Sequence, residues 1–214
     1  MTKIVFSGFD GKMGSKIFEY IKLNTSYEIV DVINKDALNP YEIVLKGNVV
    51  IDFSCKDFSY PLALFCGQHN ISFISGTTNF TKEELNEINK TFIKNKTGAI
   101  ICPNFSKGIS LIKKALPIIE DNYEIIEIEE THHISKLDSP SWTALQLNNK
   151  LNKKRKITSK RRKHYNAIHK ITCKNDYETL TIIHKVTNKF AYGDLVLKAI
   201  KEVKNFEGLK EEFI

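Results

Sequence analysis

The feature that most constrains this chain is the alternation, through its first half, of short apolar runs with stretches of helical period. Lys3–Ser7 is an apolar run that stops at Gly8, after which Met13, Ile17, Tyr20 and Ile21 recur at helix spacing. Tyr27–Ile33 and Val49–Phe53 read as further strands, and Asp57–His69 as a helix leading to a strand at Ile71–Ser75. Thr81 and Glu84 have the spacing of a capping box and open a polar helix to about Lys94, before a strand at Gly98–Cys102. Strands separated by helices predict an α/β fold, a parallel sheet covered on both faces.

The second half changes rhythm. Ser106–Ile118 reads as a helix, Tyr123–Glu130 as a strand with alternating acids, and Pro140–Leu151 as a helix. Ala167–Cys173 and Thr179–Val186 are β-rich and predicted to pair antiparallel, and a last helix covers about Asp194–Asn205. Two domains are expected: residues 1–104 with 191–214, and a smaller mixed α+β domain from 105–190.

Hydrophobic residues make up 42% and charged residues 27% of the 214, which excludes disorder, collagen and coiled coil. No apolar run approaches the roughly 20 residues of a membrane helix. The opening MTKIVFSGFDG lacks a signal peptide's apolar core and cleavage site. Cys55, Cys66, Cys102 and Cys173 show no metal-ligand spacing, so no metal is expected and a reduced, cytoplasmic protein is. Nine of the 32 basic residues lie between Lys150 and Lys163, leaving 23 against 25 acids elsewhere. A run this concentrated suits an anionic partner or a solvated loop. Only Tyr165 stands near it for base stacking and no nucleic-acid motif frames it, so a loop is expected and nucleic acid is not.

Gly8, Phe9, Asp10, Gly11, Lys12, Met13 and Gly14 lie between a predicted strand and a predicted helix. Glycine there permits a tight turn and lets backbone amides and the helix N-terminus meet a pyrophosphate. The spacing is GxxGxxG where the dinucleotide fingerprint is GxGxxG, and an ordinary βα turn is the alternative. After the second strand, Asn34 stands where a ribose-binding acid is expected, and Lys35 could pair with a 2′-phosphate or be merely solvated. NADPH and NADH both remain open. Gly76, Thr77 and Thr78 follow the fourth strand at its carboxyl end, where open α/β sheets bind ligands and plain turns also occur.

The densest chemical cluster is the segment from Glu129 to Thr143, holding His132, His133, Lys136, Asp138 and a Ser-Pro helix start. A histidine and a lysine can act as an acid/base pair, and donors at the following helix N-terminus can hold a carboxylate. Adjacent histidines on a strand face opposite ways, which argues against a shared metal.

With these segments in place the chain resembles the 4-hydroxy-tetrahydrodipicolinate reductase family of the diaminopimelate route to lysine. The resemblance is carried, in order, by GFDGKMG, VVIDFS, GTT, PNFSKGI, ETHHISKLDSPSWTA and HKVTNKFAYGDLVLKAI. It implies a Rossmann-type domain using NADPH or NADH, joined to a substrate domain that also builds a homotetramer. By position it implies pyrophosphate binding by Gly8 to Met13. Gly76, Thr77, Thr78, Cys102, Pro103, Asn104 and Phe105 would line the nicotinamide. His132 matches the proton donor/acceptor, Lys136 the proton donor, and His133 a substrate-binding residue. Thr143 matches half of a Gly-Thr pair that binds a carboxylate of the dicarboxylate substrate.

Three departures fall in the substrate domain. The family motif PSGTA reads Pro140-Ser141-Trp142-Thr143-Ala144, so Trp142 adds volume where glycine lets backbone approach the substrate, and is expected to change φ/ψ or obstruct. Arg161-Arg162-Lys163-His164 and Ile168-His169-Lys170 stand where the family shows glycine-rich segments. The closing S-x-R-x-x-F element is shortened, with Lys189 beside Phe190. Two alternatives to the reductase follow: an imine reductase with another substrate, or a non-catalytic nucleotide-binding relative.

Overall fold

The computed structural model describes residues 1–24, 26–164 and 166–213, and the side chain of Lys189 lies outside that description together with Tyr165. Two compact units emerge, one of Met1–Phe105 with the chain from Tyr192 onward, the other of Ser106–Ala191. Among the described residues no helix is long and apolar enough to cross a membrane.

The first unit is a six-stranded sheet. Its strands are β1 (Thr2–Ser7), β2 (Tyr27–Ile33), β3 (Val49–Asp52), β4 (Ser72–Ser75), β5 (Gly98–Ile101) and β10 (Gly208–Lys210). Every pairing is parallel, in the order β10-β5-β4-β3-β1-β2. The apolar runs have both faces buried because side chains alternate. Ile4 and Phe6 join Val49 and Ile51 on one side, with helices α1 (Gly14–Lys22) and α7 (Gly193–Glu202). Val5, Val50, Phe73 and Ala99 point to the other, against α3 (Lys56–Gln68) and α4 (Lys82–Lys94). Each fully buried side chain of this size contributes about 1.5–3 kcal/mol. The capping box of Thr81 and Glu84 forms at the start of α4. A one-and-a-half-turn helix α2 (Pro40–Val44) and strand β10 are additions to the expected elements.

The second unit packs two helices, α5 (Lys107–Glu120) and α6 (Trp142–Asn149), on a four-stranded sheet. That sheet joins β6 (Glu124–His133), β7 (Lys156–Arg162), β8 (Ile168–Lys174) and β9 (Thr179–Lys185) in the order β7-β6-β8-β9. The β8–β9 pairing is antiparallel as expected. The basic run was expected as a loop, but its second half is β7, paired in parallel with β6. The acids of β6 explain it. Lys160 pairs with Glu129, Arg161 with Glu130, Arg155 with Glu124 at 3.3 Å, and Thr158 donates to Glu127.

β6 carries a bulge between Ile125 and Glu127. Without it a period of two from the buried Ile125 would send Glu129 and Thr131 to the helix face. The bulge shifts the phase, so the fully buried Ile128 and Glu130 follow Ile125 inward, and His132 follows them.

Candidate active site

In the first unit the candidate residues gather at the carboxyl ends of β1, β3 and β4, where the strand order reverses between β1 and β3. Gly8 has φ +75°, and a Cβ there would come within 2.6 Å of the Phe53 carbonyl, so only glycine fits. A Cβ on Gly14 would run into the carbonyl oxygen of Gly8, which seats α1 directly on the turn. Phe9 and Met13 pack against the core while Asp10 and Lys12 are exposed. The turn therefore presents backbone, and the N-terminus of α1 has no side-chain cap competing for its amides. An anionic group fits such a turn.

Gly76 lies against the Phe53 ring, which leaves no room for a side chain, and its N–H donates to the Asp52 carbonyl at 3.0 Å. Thr77 is buried; its hydroxyl donates to Asp52 Oδ2 at 2.9 Å, while Thr78 is half-buried. Asp52 escaped notice in the sequence and is the anchor here. It also accepts hydroxyl donors from Ser54 at 2.5 Å, Ser59 at 2.6 Å and Ser75 at 3.0 Å, and the Ser54 N–H at 3.2 Å. The signal available was an acid closing an apolar strand, with Ser and Thr clustered after it and after the next strand.

Cys102 is buried, bonds through its thiol to the Asn104 carbonyl at 3.2 Å and takes the Ser75 carbonyl on its N–H at 2.9 Å. Pro103 and Asn104 are half-buried, and Phe105 is a core residue with its ring 6.0 Å from that of Phe53. Asn34 and Lys35 are exposed beyond β2, with the Asn34 side-chain oxygen turned to the Asp36 N–H at 3.1 Å.

The second unit holds its own cluster of candidate residues. His132, Lys136 and Asp138 are linked through Glu130 and Arg161, two residues that motif matching passed over. Glu130 has no solvent exposure. Both its oxygens accept from Arg161 Nη1 at 3.0 Å, Oε1 also takes Nη2 at 3.0 Å and the Ser141 N–H at 3.1 Å, and Oε2 faces His132 Nδ1. Burial alone would raise the Glu130 carboxyl, but Arg161 first, then Ser159 and His132, hold it below the ordinary carboxylate value. Arg161 also donates to the carbonyls of Lys136 at 3.3 Å and Asp138 at 2.5 Å.

Lys136 Nζ lies 2.8 Å from Asp138 Oδ1, and Asp138 Oδ2 accepts the Trp142 N–H at 3.2 Å. Burial raises the Asp138 carboxyl, and Lys136 with the Trp142 amide more than offsets it, leaving the value low. His132 is lowered by burial first, with Lys136 and Arg161 acting the same way and Glu130 opposing them. His133 points away from this group and meets Ser135, its Nδ1 2.7 Å from the hydroxyl.

Behind His132 the ring of His169 stands edge-on at 5.2 Å, and His184 lies 6.1 Å beyond. Burial, then His132 and His184, push His169 down to about 3. His169 Nε2 is 3.5 Å from the hydroxyl of Ser141 and His184 Nε2 3.0 Å from that of Ser106. These serines are the N-caps of α6 and α5. Among the described residues no group of histidines, cysteines and acids could hold a metal ion.

Trp142 is the first residue of α6 and 41% exposed. The expected distortion of its backbone is absent: its φ is not positive, and a helical residue needs no glycine there. Thr143 follows it in the first turn, half-buried.

Two family models match the chain: "Dihydrodipicolinate reductase, N-terminus" over residues 2–105 and "Dihydrodipicolinate reductase, C-terminus" over residues 108–211. A 4-hydroxy-tetrahydrodipicolinate reductase of Buchnera aphidicola subsp. Cinara cedri is 30% identical, with 92% of this chain and 90% of that protein covered. Its counterpart from Carboxydothermus hydrogenoformans is 28% identical over 95% of this chain and 94% of that one. Among solved structures, a dipicolinate-bound dihydrodipicolinate reductase from Paenisporosarcina sp. TG-14 shares the fold with a TM-score of 0.87 at 24% identity. The likeness covers 99% of this chain and 97% of that one.

Proposed function

The chain belongs to the dihydrodipicolinate reductase family, and from that premise we propose how its own residues perform the reaction. The activity is the NAD(P)H-dependent reduction of 4-hydroxy-tetrahydrodipicolinate to tetrahydrodipicolinate, in lysine biosynthesis through diaminopimelate. One hydride and one proton are added and one water leaves. The observation that carries the reading is the His132, Lys136 and Asp138 cluster organised on a single buried carboxylate, in a chain that both family models match collinearly.

A nicotinamide dinucleotide fits the first unit: the Gly8 turn, at a φ that only glycine takes there, presents backbone at the strand ends, and α1 begins uncapped. Gly8 to Met13 would hold its pyrophosphate on backbone amides, with Asn34 and Lys35 toward the ribose. Gly76, Thr78, Pro103 and Asn104 would present the rim on the nicotinamide side, with Thr77, Cys102 and Phe105 shaping it from beneath. When bound, the reduced cofactor supplies a hydride. NADPH and NADH both suit these residues.

In the second unit, Lys136 delivers the proton. Its ion pair with Asp138 keeps the ammonium at the start of α6. His132, lowered by burial and donating a hydrogen bond from Nδ1–H to Glu130, keeps Nε2 as the atom that exchanges protons with substrate. Thr143 at the N-terminus of α6 and His133 would hold carboxylates of the substrate, with Trp142 beside them. We further propose a homotetramer, for which Ile126 on β6 and Ile183 on β9 supply exposed apolar side chains on the sheet; light scattering after gel filtration tests it.

The reaction is tested by feeding pyruvate and aspartate semialdehyde through a dihydrodipicolinate synthase while NADH or NADPH oxidation is followed. Turnover is expected, and Lys136→Ala should remove at least 100-fold of it, on the order of a general acid's contribution, with cofactor affinity unchanged by titration. Cofactor binding without any oxidation by the unmodified protein would overturn the reading. Trp142 would then favour the second one, reduction of a related imine whose shape suits an indole in place of glycine.

A further inference from the structure

We propose that Glu130 is a positioning residue that fixes the tautomer of His132 and, through Arg161, holds Lys136 in register with it. The inference rests on the reductase reading for the roles of His132 and Lys136, and its own geometry comes from three separate elements. Glu130 and His132 are two apart on β6 and so share a face, the one that the upstream bulge turns inward. Arg161 lies opposite His132 on β7. The turn after β6 supplies Lys136 and Asp138.

The carboxylate accepts from the Arg161 guanidinium, the Ser141 N–H and the His132 ring. A carboxylate accepting at Nδ1 requires the proton to sit there in the neutral ring, which leaves the Nε2 lone pair for chemistry. The same carboxylate neutralises Arg161, and that guanidinium reaches past it to the carbonyls of Lys136 and Asp138. It also takes the Ser141 N–H, at the residue that caps α6. A rotation of Glu130 would disturb the imidazole, the lysine turn and the helix start together. A planar guanidinium with five fixed donors can hold three such acceptors at once, which a lysine cannot.

The groups facing His132 are Glu130 from its own strand, Lys136 from the following turn, Arg161 from β7 and His169 from β8, with His184 of β9 behind. Of these, only Glu130 favours the charged imidazole. Removing its charge leaves burial, Lys136 and Arg161 unopposed, so the His132 titration must move to lower pH.

The test is nitrogen NMR of the full chain labelled at histidine, with the His132 signals assigned by their loss in His132→Asn. In the unmodified protein the neutral ring is expected in the Nδ1–H form. Glu130→Gln is expected to shift it toward Nε2–H and lower its titration midpoint by about one unit or more. It should also lower kcat at least about tenfold with the KM for cofactor within about twofold. Arg161→Lys is expected to keep the tautomer, because one cation still faces Glu130, yet lower kcat as the carbonyls of Lys136 and Asp138 are released. A folded Glu130→Gln protein with the original tautomer and midpoint would overturn the proposal. If that variant does not fold, Glu130→Asp, with the carboxylate drawn back by one methylene, must move the same two signals. An unmodified protein inactive on the dicarboxylate would remove the reductase reading, while the tautomer measurement would still decide the role of Glu130.

Discussion

Among the described residues two acidic side chains have no solvent exposure, Asp52 in the first unit and Glu130 in the second, and each is satisfied in a different chemical style. Asp52 is ringed by the hydroxyls of Ser54, Ser59, Ser75 and Thr77. Hydroxyls rotate and can donate or accept, so that ring can rearrange around a changed centre. Glu130 meets a guanidinium, a backbone N–H and an imidazole N–H, and the first two can only donate. The first arrangement fixes a backbone rim with neutral groups, while the second ties geometry to protonation and charge.

The contrast is broken most forcefully at Arg161. Arg161→Ala leaves a buried carboxylate without its counter-charge, a loss of about 3–5 kcal/mol in urea unfolding at neutral pH. The loss should shrink on acidification. With Arg161 gone, burial raises the folded-state value of Glu130 above its unfolded one, so the folded variant binds the proton first and recovers relative stability as pH falls. Equal losses at pH 7 and pH 5 would show that Glu130 is not the group left exposed to this imbalance.

The next effect sharpens the contrast through pH alone. His169 is 2% exposed and held near 3, below its unfolded value, so its contribution is complete above about pH 6.5 and is lost as pH falls toward the folded value. Between pH 7.5 and pH 5 this amounts to roughly 2 kcal/mol. Hydrogen exchange should therefore weaken first in β6, β8 and β9, ahead of β1, β3 and β4, and His169→Gln should remove much of that difference.

Asp52→Asn is the milder counterpart, expected to reduce stability by only about 1 kcal/mol because the hydroxyls can turn to suit the amide. A loss as large as that of Arg161→Ala would erase the distinction between the two surroundings. Its functional trace belongs in cofactor affinity, since Thr77 hangs on this carboxyl. Smallest is Trp142→Gly, with at most about 1 kcal/mol lost from the first turn of α6 and the substrate KM lowered a few-fold. A raised KM would mean that the indole contributes a contact of its own.

Much of the first unit could be read from the residues alone, because parallel strands buried on both faces leave continuous apolar runs and the Gly8 and Gly14 turn has a steric cause. The parallel sheet of the first unit and the mixed sheet of the second are as expected, with β10 as an unexpected sixth strand of the first. β7 was hidden because KITSKRR looks like a solvated basic stretch; its partners are the acids of β6, some 31 residues earlier. The bulge at Ile125–Glu127 leaves no compositional mark, yet it decides which acid is buried. His132 and Lys136 were visible as a motif. Glu130, Arg161 and Asp52 were not, since their meaning lies in pairings that only the fold creates.

The insertion of one unit within the other has a consequence for synthesis. Leu195, Val196, Ala199, Ile200 and Val203 complete the core of the first unit, and β10 covers the edge of β5. All of them leave the ribosome after the whole of Ser106–Ala191. Until then the emerging first unit carries an open β5 edge and an unfilled apolar face, while the second unit already has every residue it needs. The inserted unit can thus finish first, and the interval before residue 192 appears is when a chaperone has most to protect.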